Sequence, residues 1–264
     1  MRAADCVAVV FVGKQLMLPE ILVELVVFVL LVASAYAGVK AYVRLVQPRF
    51  AGFFLKRHLA VLVILMLLLA GAKVFEDVLA GESGVVDKGV LLFIHEHMPA
   101  ALTPFFAAVT FAGSAVVVVP VAALAALVFA IVKRHFEAVL VLASLGAAAI
   151  LVYGIKTASG RVRPALWDTQ WYWGSSFPSG HTVHTAAVST ALALCAARLC
   201  PRLAPWTMAA ALGWTALVAL SRLVLGVHWP TDVLAALCLG AFIPLMINIA
   251  LELRAENVQR GDAF

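Results

Sequence analysis

Runs of about twenty apolar residues recur along this chain and constrain its fold more than any other feature. A helix of that length crosses the roughly 30 Å hydrocarbon core of a bilayer. The composition points the same way, because 64% of the 264 residues are hydrophobic and only 12% are charged. A soluble domain carries roughly a quarter charged residues, so this chain has too few charges to cover a water-facing surface. The sequence therefore predicts an all-α fold, a polytopic membrane helical bundle.

Breaks that contain charged residues, proline or glycine divide the apolar sequence into seven predicted helices. The predicted helices span residues 18–43, 57–79, 103–132, 136–156, 181–199, 205–224 and 231–252. Residues 83–102 are too few and too charged to span, so we expect a short helix at the membrane interface. The segment after Leu253 is polar, and we expect it to be frayed.

Lysine and arginine residues in the short loops define the orientation of the bundle. Most of them fall on one side, which we expect to be cytoplasmic. These residues are Lys40, Arg44, Arg49, Lys56, Arg57, Lys133, Arg134, Arg198, Arg202 and Arg254. Topology therefore accounts for the net charge of +5, and we expect no nucleic-acid partner.

Three polar segments interrupt the apolar pattern, and all three fall on the opposite, outer side of the predicted bundle. They are "KTASGRVRP" (156–164), "PSGH" (178–181) and "SRLVLGVHWPTD" (221–232). One helix leads from His181 across the bilayer and the next returns to Ser221, so these two residues lie at similar depth. The first segment reaches the same leaflet from the preceding helix. One pocket in the outer leaflet can therefore hold all three segments.

The basic residues and the serine–glycine pair of these segments suit a phosphate group. Lys156, Arg163 and Arg222 supply three positive charges, and guanidinium groups match the geometry of phosphate oxygens. Ser179 and Gly180 lead into a helix N-terminus, where free N–H groups favour an anion. We therefore predict that these five residues bind phosphate.

Two histidines and an aspartate complete the predicted site. Asp232 follows His228 by four residues, and a carboxylate that accepts one ring N–H leaves the other ring nitrogen as a nucleophile. His181 then remains as the acid that protonates the departing oxygen. The set predicts phosphoryl transfer with His228, His181 and Asp232 as the catalytic residues.

Further residues are candidates for secondary roles at this pocket. They are Arg161, Ser221, His184, Trp171 and Trp173. Arg161 is either an additional phosphate contact or a solvated loop charge, and His184 either flanks the pocket or only packs. The tryptophans either line an entrance for the lipid or belong to a membrane-interface belt. No metal or other cofactor is expected, because the histidines of "HEH" (95–97) lack a third ligand nearby and the cysteines form no CxxC pair.

The three segments together resemble the signature of the type-2 phosphatidic acid phosphatase superfamily, which includes bacterial lipid phosphatases and the vanadium haloperoxidases. They read K-x6-R-P, P-S-G-H and S-R-x5-H-x3-D in this order, and no position of the signature is altered. The resemblance covers residues 156–232 in motif and about 57–252 in helix layout. It implies a six-helix membrane domain over residues 57–253. The first predicted helix departs from this layout, so we expect residues 1–56 to add a transmembrane helix and residues 254–264 to form a polar cytoplasmic tail.

The resemblance also implies a metal-independent mechanism. His228 attacks phosphorus and forms a phosphohistidine while Asp232 orients its ring, and His181 protonates the leaving group and then activates water. The substrates expected for such a membrane site are lipid phosphates: undecaprenyl pyrophosphate first, then phosphatidylglycerol phosphate, phosphatidic acid or the phosphate of lipid A. The expected location is a plasma membrane, with the bacterial inner membrane favoured, and the site on the periplasmic or outer face.

Two other functions are compatible with the same residues. A lipid phosphotransferase would pass the phosphoryl group from His228 to a second lipid instead of water. A non-catalytic lipid transporter on the same fold would not need the His228, Asp232 and His181 set, so the intact set favours an enzyme.

Overall fold

The structure is a computed structural model that describes residues 14–169 and 174–260, and within these ranges the chain forms nine α-helices and no β-strand. The helices are α1 (Lys14–Leu45), α2 (Ala51–Ala80), α3 (Gly84–His97), α4 (Thr103–Ala112), α5 (Ala115–Ile131), α6 (His135–Ser159), α7 (Gly180–Leu199), α8 (Ala204–Val224) and α9 (Pro230–Arg260). Short 3-10 turns precede α2, α4 and α8. The predicted all-α fold class is confirmed.

Several predicted helix limits differ from the structure. Helix α1 begins at Lys14 and α2 at Ala51, before the predicted residues 18 and 57. The helix predicted over 103–132 is broken at Gly113 and Ser114, where the chain separates α4 from α5. A Cβ at Gly113 would lie 2.6 Å from a methyl group of Val218, so this close packing permits only glycine. At the other end of the chain, α9 continues to Arg260 instead of fraying after Leu253.

The chain divides into two compact units, residues 1–73 and residues 74–264. In the first unit, the ring of Tyr36 on α1 contacts the ring of Phe54 on α2, with centroids 5.6 Å apart. Large apolar side chains of α1 such as Leu30 are more than half exposed, as expected for a helix that faces lipid. The predicted boundary between residues 56 and 57 stays a prediction.

The second unit is organised around α7, which packs against α6, α8 and α9. The side of α7 that carries Val183 and Ala187 is completely buried. A Cβ at Gly240 of α9 would lie 2.5 Å from the Cβ of Ala186. Glycine and alanine therefore let the backbones of α7 and α9 approach closely, as small residues do at interfaces between membrane helices.

Six helical segments are long and apolar enough to cross a membrane: 22–45, 48–80, 135–159, 180–199, 201–224 and 230–258. Helix α3 and the segment Ala100–Ala112 pass the same test only as a pair, and this pair is bent by 95°. The chain is therefore a multi-pass membrane protein. The short helix predicted over 83–102 is present as α3.

Candidate active site

Four helix ends of the second unit meet at one end of the bundle and carry the three polar segments. At this end of the bundle α6 and α8 end, and α7 and α9 begin. Gly160, with a φ of +56°, terminates α6, and Gly226, with a φ of +66°, turns the chain after α8. A Cβ at Gly226 would lie 2.5 Å from the Trp167 ring, so glycine is required at that turn.

His228 and Asp232 form a hydrogen-bonded pair at the start of α9. The His228 Nδ1 atom lies 3.3 Å from Asp232 Oδ2, and both side chains are buried. The same carboxylate oxygen accepts the backbone N–H of Trp229 at 2.8 Å. This second bond satisfies a donor that the helix itself leaves open, and it fixes the carboxylate in place. The i, i+4 spacing seen in the sequence thus places the carboxylate against the ring.

The other ring nitrogen of His228 faces a cation. Its Nε2 atom lies 3.2 Å from Nη1 of Arg163, which also donates to the carbonyl of Val227 at 2.9 Å. A guanidinium only donates, so Nε2 carries the lone pair and Nδ1 carries the proton that Asp232 accepts. Burial lowers the pKa of His228 to about 4; the positive charges of Arg222 and Arg163 act in the same direction, and Asp232 opposes them. The ring is therefore neutral at pH 7, with a nucleophilic nitrogen beside Arg163.

Lys156 and Arg163 converge on the loop before α7. Lys156 Nζ and, at 3.4 Å, Arg163 Nη2 both donate to the carbonyl oxygen of Ser175. Because α6 ends at Ser159, the two cations do not share a helix face; the loop after Gly160 brings Arg163 back toward Lys156. Two positive charges separated by seven positions in sequence thus lie on one side of His228.

The start of α7 is joined directly to α9. The backbone N–H of Ser179 donates to the backbone carbonyl of Asp232 at 3.1 Å, and the Ser179 side chain is buried. A Cβ at Gly180 would lie 3.9 Å from Lys156 Cε, so the first turn of α7 adjoins the lysine side chain. The N-terminus of α7 therefore belongs to the same cluster as His228 and Lys156.

Arg222 and His181 lie on the side of the cluster that faces α4. Arg222 is fully buried, and its Nη1 atom donates to the hydroxyl of Thr110 on α4. The positive charges of Arg222 and Arg163 both act on His181, which lines a cavity of about 880 Å³. The walls of this cavity combine apolar and polar side chains, including Ala107, Phe111, Val116, Leu225, His95, Thr103, Ser114 and Asp168.

Arg161 lies between two carboxylates, those of Asp232 and Asp87. Its Nη1 atom donates to Asp232 Oδ1 at 2.6 Å, and its Nη2 atom donates to Asp87 Oδ2 at 2.6 Å. The side chains of Asp87 and Asp232 are 0% exposed, so this is a buried ion cluster that joins α3 to α9. The sequence offered a phosphate contact or a solvated loop charge for Arg161; the structure pairs its two Nη atoms with Asp232 and Asp87, and a phosphate contact stays a prediction.

The remaining candidates are Ser221, His184, Trp171 and Trp173. The Ser221 hydroxyl donates to the carbonyl of Val218 at 2.6 Å, which ties it to its own helix. His184 Nδ1 lies 2.7 Å from the carbonyl oxygen of Gly180, which ties the ring to its own helix. Trp171 and Trp173 lie outside the described residues.

Sequence reasoning missed four residues that contribute to the site: Asp87, His95, Thr110 and Thr231. The ring of His95 stacks on Trp167, with centroids 3.9 Å apart, at the wall of the cavity. No local signal marked Asp87, because it lies beside Lys88 in a segment expected at the membrane interface, where a charge needs no buried partner.

Over the part of the chain that the structure describes, no group of three or more His, Cys, Asp or Glu side chains could hold a metal ion. Free thiols occur at Cys195, Cys200 and Cys238. The metal-free mechanism stays a prediction.

Parts of the chain are similar to known proteins. A family model described as the PAP2 superfamily matches residues 137–254. Phosphatidylglycerophosphatase B of Escherichia coli strain K12 is 48% identical over 63 residues, which are 24% of this chain and 24% of that protein. The same figures hold for phosphatidylglycerophosphatase B of Shigella flexneri, so the chain matches about a quarter of the length of these curated relatives.

Two solved structures are similar to this chain, and the first of them shares its fold. A transmembrane PAP2 type phosphatidylglycerolphosphate phosphatase from Bacillus subtilis superposes with a TM-score of 0.61 at 23% identity, covering 75% of this chain and 96% of that chain. LpxE of Aquifex aeolicus gives a TM-score of 0.48 at 22% identity over 62% of this chain and 93% of its own. Residues 137–254 are therefore similar to the PAP2 superfamily, and they include α7, α8, most of α6 and α9 and all three polar segments.

Proposed function

We propose that this protein is an integral-membrane lipid phosphatase that hydrolyses the phosphate group of a lipid through a phosphohistidine intermediate. The observation that carries the proposal is the state of His228. Its Nδ1 proton is held by Asp232, and its Nε2 lone pair lies beside Arg163 among further cations. A neutral imidazole with one fixed tautomer and a cationic surrounding is suited to attack a phosphorus atom that carries negative oxygens.

In the first step, Nε2 of His228 forms a bond to phosphorus while the bond from phosphorus to the lipid oxygen breaks. His181 donates a proton to the departing oxygen, and Asp232 stabilises the positive charge that develops on the His228 ring. Lys156, Arg163 and Arg222 hold the phosphate oxygens and stabilise the charge of the transition state. The product of this step is a phosphohistidine and the dephosphorylated lipid.

In the second step, His181 takes a proton from water as the water oxygen attacks phosphorus. The phosphorus–nitrogen bond breaks, inorganic phosphate leaves, and the electron pair returns to Nε2 of His228. The two steps use one acid–base residue in both directions and consume one water molecule. No metal ion takes part in either step.

The cavity beside His181 supports a lipid substrate. It has a volume of about 880 Å³, and its apolar residues suit an acyl chain or an isoprenoid chain beside the phosphate. The curated relatives are named phosphatidylglycerophosphatase B, and for that reason we propose phosphatidylglycerol phosphate as the first substrate to test, ahead of the undecaprenyl pyrophosphate expected from the sequence. Undecaprenyl pyrophosphate, phosphatidic acid and the phosphate of lipid A share the same reacting group.

We place the site on the periplasmic face of a bacterial inner membrane. Arg198 lies in the last turn of α7 and Arg202 in the short turn that follows, at the end of the bundle away from His228. Lys133 and Arg134 precede α6 at the same end. Basic loop residues favour the cytoplasmic side. The polar segments therefore face outward in this proposal.

The test is phosphate release from a panel of these four lipids by purified protein in detergent with EDTA. We expect release from at least one of them, inhibition by vanadate as a phosphate mimic, and a loss of at least about a thousandfold in His228→Ala. His58→Ala is the matched control, because His58 is an exposed histidine of α2 whose ring contacts only its own helix; we expect it to match the wild type.

Three results would contradict the proposal. Release that requires added Mg²⁺ would exclude the metal-free mechanism. Transfer of labelled phosphate to a second lipid, without free phosphate, would identify a phosphotransferase instead. Full activity in His228→Ala would exclude this histidine as the nucleophile.

A further inference from the structure

We propose that Asp87 is a positioning residue for the reaction, acting on His228 through Arg161 and Asp232. The inference rests on the proposed function, because it concerns the same histidine. Asp87 belongs to α3, outside residues 137–254 that match the family model. Its side chain is nevertheless 0% exposed and makes three hydrogen bonds to the residues around Asp232.

The first action of Asp87 is to cap a helix from outside. Its Oδ1 atom accepts the backbone N–H of Thr231 at 2.9 Å, and its Oδ2 atom accepts the Thr231 hydroxyl at 2.7 Å. Thr231 lies in the first turn of α9, where backbone N–H groups have no partner within the helix. A carboxylate at that position also interacts favourably with the helix dipole. Asp87 therefore fixes the turn from which Asp232 projects.

The second action of Asp87 is electrostatic. Arg161 donates to Asp232 at 2.6 Å. If no other carboxylate were present, this positive charge would cancel the negative charge of Asp232 beside His228. Asp87 pairs with the other arm of Arg161 at 2.6 Å, so the three groups together keep one net negative charge. That charge lies beside His228, whose ring becomes positive when Nε2 bonds to phosphorus and Nδ1 keeps its proton. Asp87 thus preserves the stabilisation that the transition state requires.

Both actions predict an effect on the chemical step and not on lipid binding. Asp87 reaches His228 only through Arg161, Thr231 and Asp232, and it does not line the cavity. Loss of Asp87 should therefore lower kcat and leave KM nearly unchanged. Replacing residues that orient a reactive group through hydrogen bonds typically lowers activity about tenfold to a hundredfold.

The experiment compares variants by phosphate release from phosphatidylglycerol phosphate in detergent. Wild-type release and its loss in His228→Ala are measured first, so a failure of the proposed function is recognised separately. We then expect Asp87→Asn to lose tenfold or more in kcat with KM within about threefold of the wild type. Glu96→Gln is the matched control, because Glu96 is an exposed carboxylate on the same helix, and its kcat should stay within about twofold.

A double variant separates charge balance from unrelated damage. If Asp87 offsets Arg161, then Asp87→Asn combined with Arg161→Gln should retain at least the kcat of Asp87→Asn alone. Independent effects would instead multiply the two single losses, and that result would overturn the proposal. An Asp87→Asn protein with wild-type kcat would overturn it as well.

A second variant covers the outcome that Asp87→Asn does not fold. Thr231→Val removes the hydroxyl that accepts from Arg161 at 2.8 Å and donates to Asp87 at 2.7 Å, and it keeps all charges. We expect this variant to elute as the wild type does on size exclusion and to lose roughly threefold to tenfold in kcat at unchanged KM. Wild-type kcat in Thr231→Val would contradict the proposal.

Discussion

Two buried ion clusters lie at opposite ends of α6, α7 and α9, and they differ in what they hold. At one end Arg161 pairs with Asp87 and Asp232, both 0% exposed, at 2.6 Å each. At the other end Arg198 pairs with Glu137 at 3.6 Å and with Glu252 at 3.1 Å, and the Arg198 side chain is 35% exposed. Each cluster joins distant parts of the fold through one arginine between two carboxylates.

A carboxylate of the first cluster contacts a histidine, whereas the carboxylates of the second cluster pair with Arg198. Asp232 accepts a hydrogen bond from Nδ1 of His228, whose other ring nitrogen adjoins Arg163. Arg198 instead lies over the ring of Phe136 at 3.7 Å, and Glu137 lies near the end of the bundle. The comparison shows that a buried ion pair alone does not identify an active site. The distinguishing feature is a carboxylate that fixes the tautomer of a neutral nucleophile.

The largest effect expected from this difference is on catalysis at the first cluster. Asp232→Asn keeps the shape of the side chain, but its amide no longer supplies the negative charge that fixes the His228 tautomer and stabilises the charged ring. We expect kcat for phosphate release to fall about a hundredfold to ten-thousandfold. Steady-state kinetics against the wild type measure this effect. A fall of less than tenfold would contradict the role given to Asp232.

The protonation of His228 gives the next largest effect. Because the folded pKa of His228 is about 4 and that of a free histidine is 6.5, its ring resonance should titrate near pH 4 in NMR spectra of labelled protein. The unfolded chain takes up the proton first, so stability from the neutral ring is complete above pH 6.5. About 3 kcal/mol is lost as the pH falls from 6.5 to 4.

The assignment of that resonance comes from its absence in His228→Ala. Arg198→Ala is the control from the other cluster and should leave the midpoint unchanged, since Arg198 lies at the far end of α7. A His228 midpoint near 6.5 would show that the ring is not buried and neutral as described here.

A smaller effect is expected on stability at the second cluster. Arg198→Ala leaves Glu137 and Glu252 with less compensation for their burial, and partial exposure of Arg198 to solvent reduces the loss to about 1 kcal/mol. Thermal unfolding in detergent should show a lower midpoint, and kcat should stay within about twofold of the wild type. A tenfold loss of kcat in this variant would remove the distinction between the two clusters.

The smallest effect is expected at Ser221, which lies beside Arg222 in the signature segment. Its hydroxyl bonds to the carbonyl of Val218 in the same helix, so Ser221→Ala should change stability by less than about 0.5 kcal/mol. Phosphate release should also match the wild type. A large loss of activity would mean that Ser221 contacts the substrate in a state that differs from this structure.

The sequence sufficed for the parts of the fold that local residues determine. Helices α6 to α8 begin and end within three residues of their predicted limits, because glycine, proline and charged residues mark those ends. The break at Gly113 was missed because it depends on contact with Val218, more than a hundred positions away. The local pattern of apolar residues cannot predict a packing contact between residues so far apart in sequence.

In the candidate site, too, local spacing was predictable from the sequence and long-range contacts were not. The His228 and Asp232 pair follows from a spacing of one helical turn, and the sequence shows it directly. Asp87 was missed because its partners Arg161 and Thr231 are 74 and 144 positions away, on other elements. Only the folded chain shows that α3 contributes a carboxylate to the site.

The central claim is that His228 is the nucleophile, and trapping of the phosphoenzyme tests it most directly. Wild-type protein is mixed with lipid labelled in its phosphate and quenched within the first turnover under alkaline conditions, which preserve phosphohistidine. Mass spectrometry then locates the label. We expect labelled phosphate on His228, lost on a chase with unlabelled lipid and absent from His228→Ala. Phosphate release at the full rate with no labelled protein, or with the label on another residue, would contradict the account.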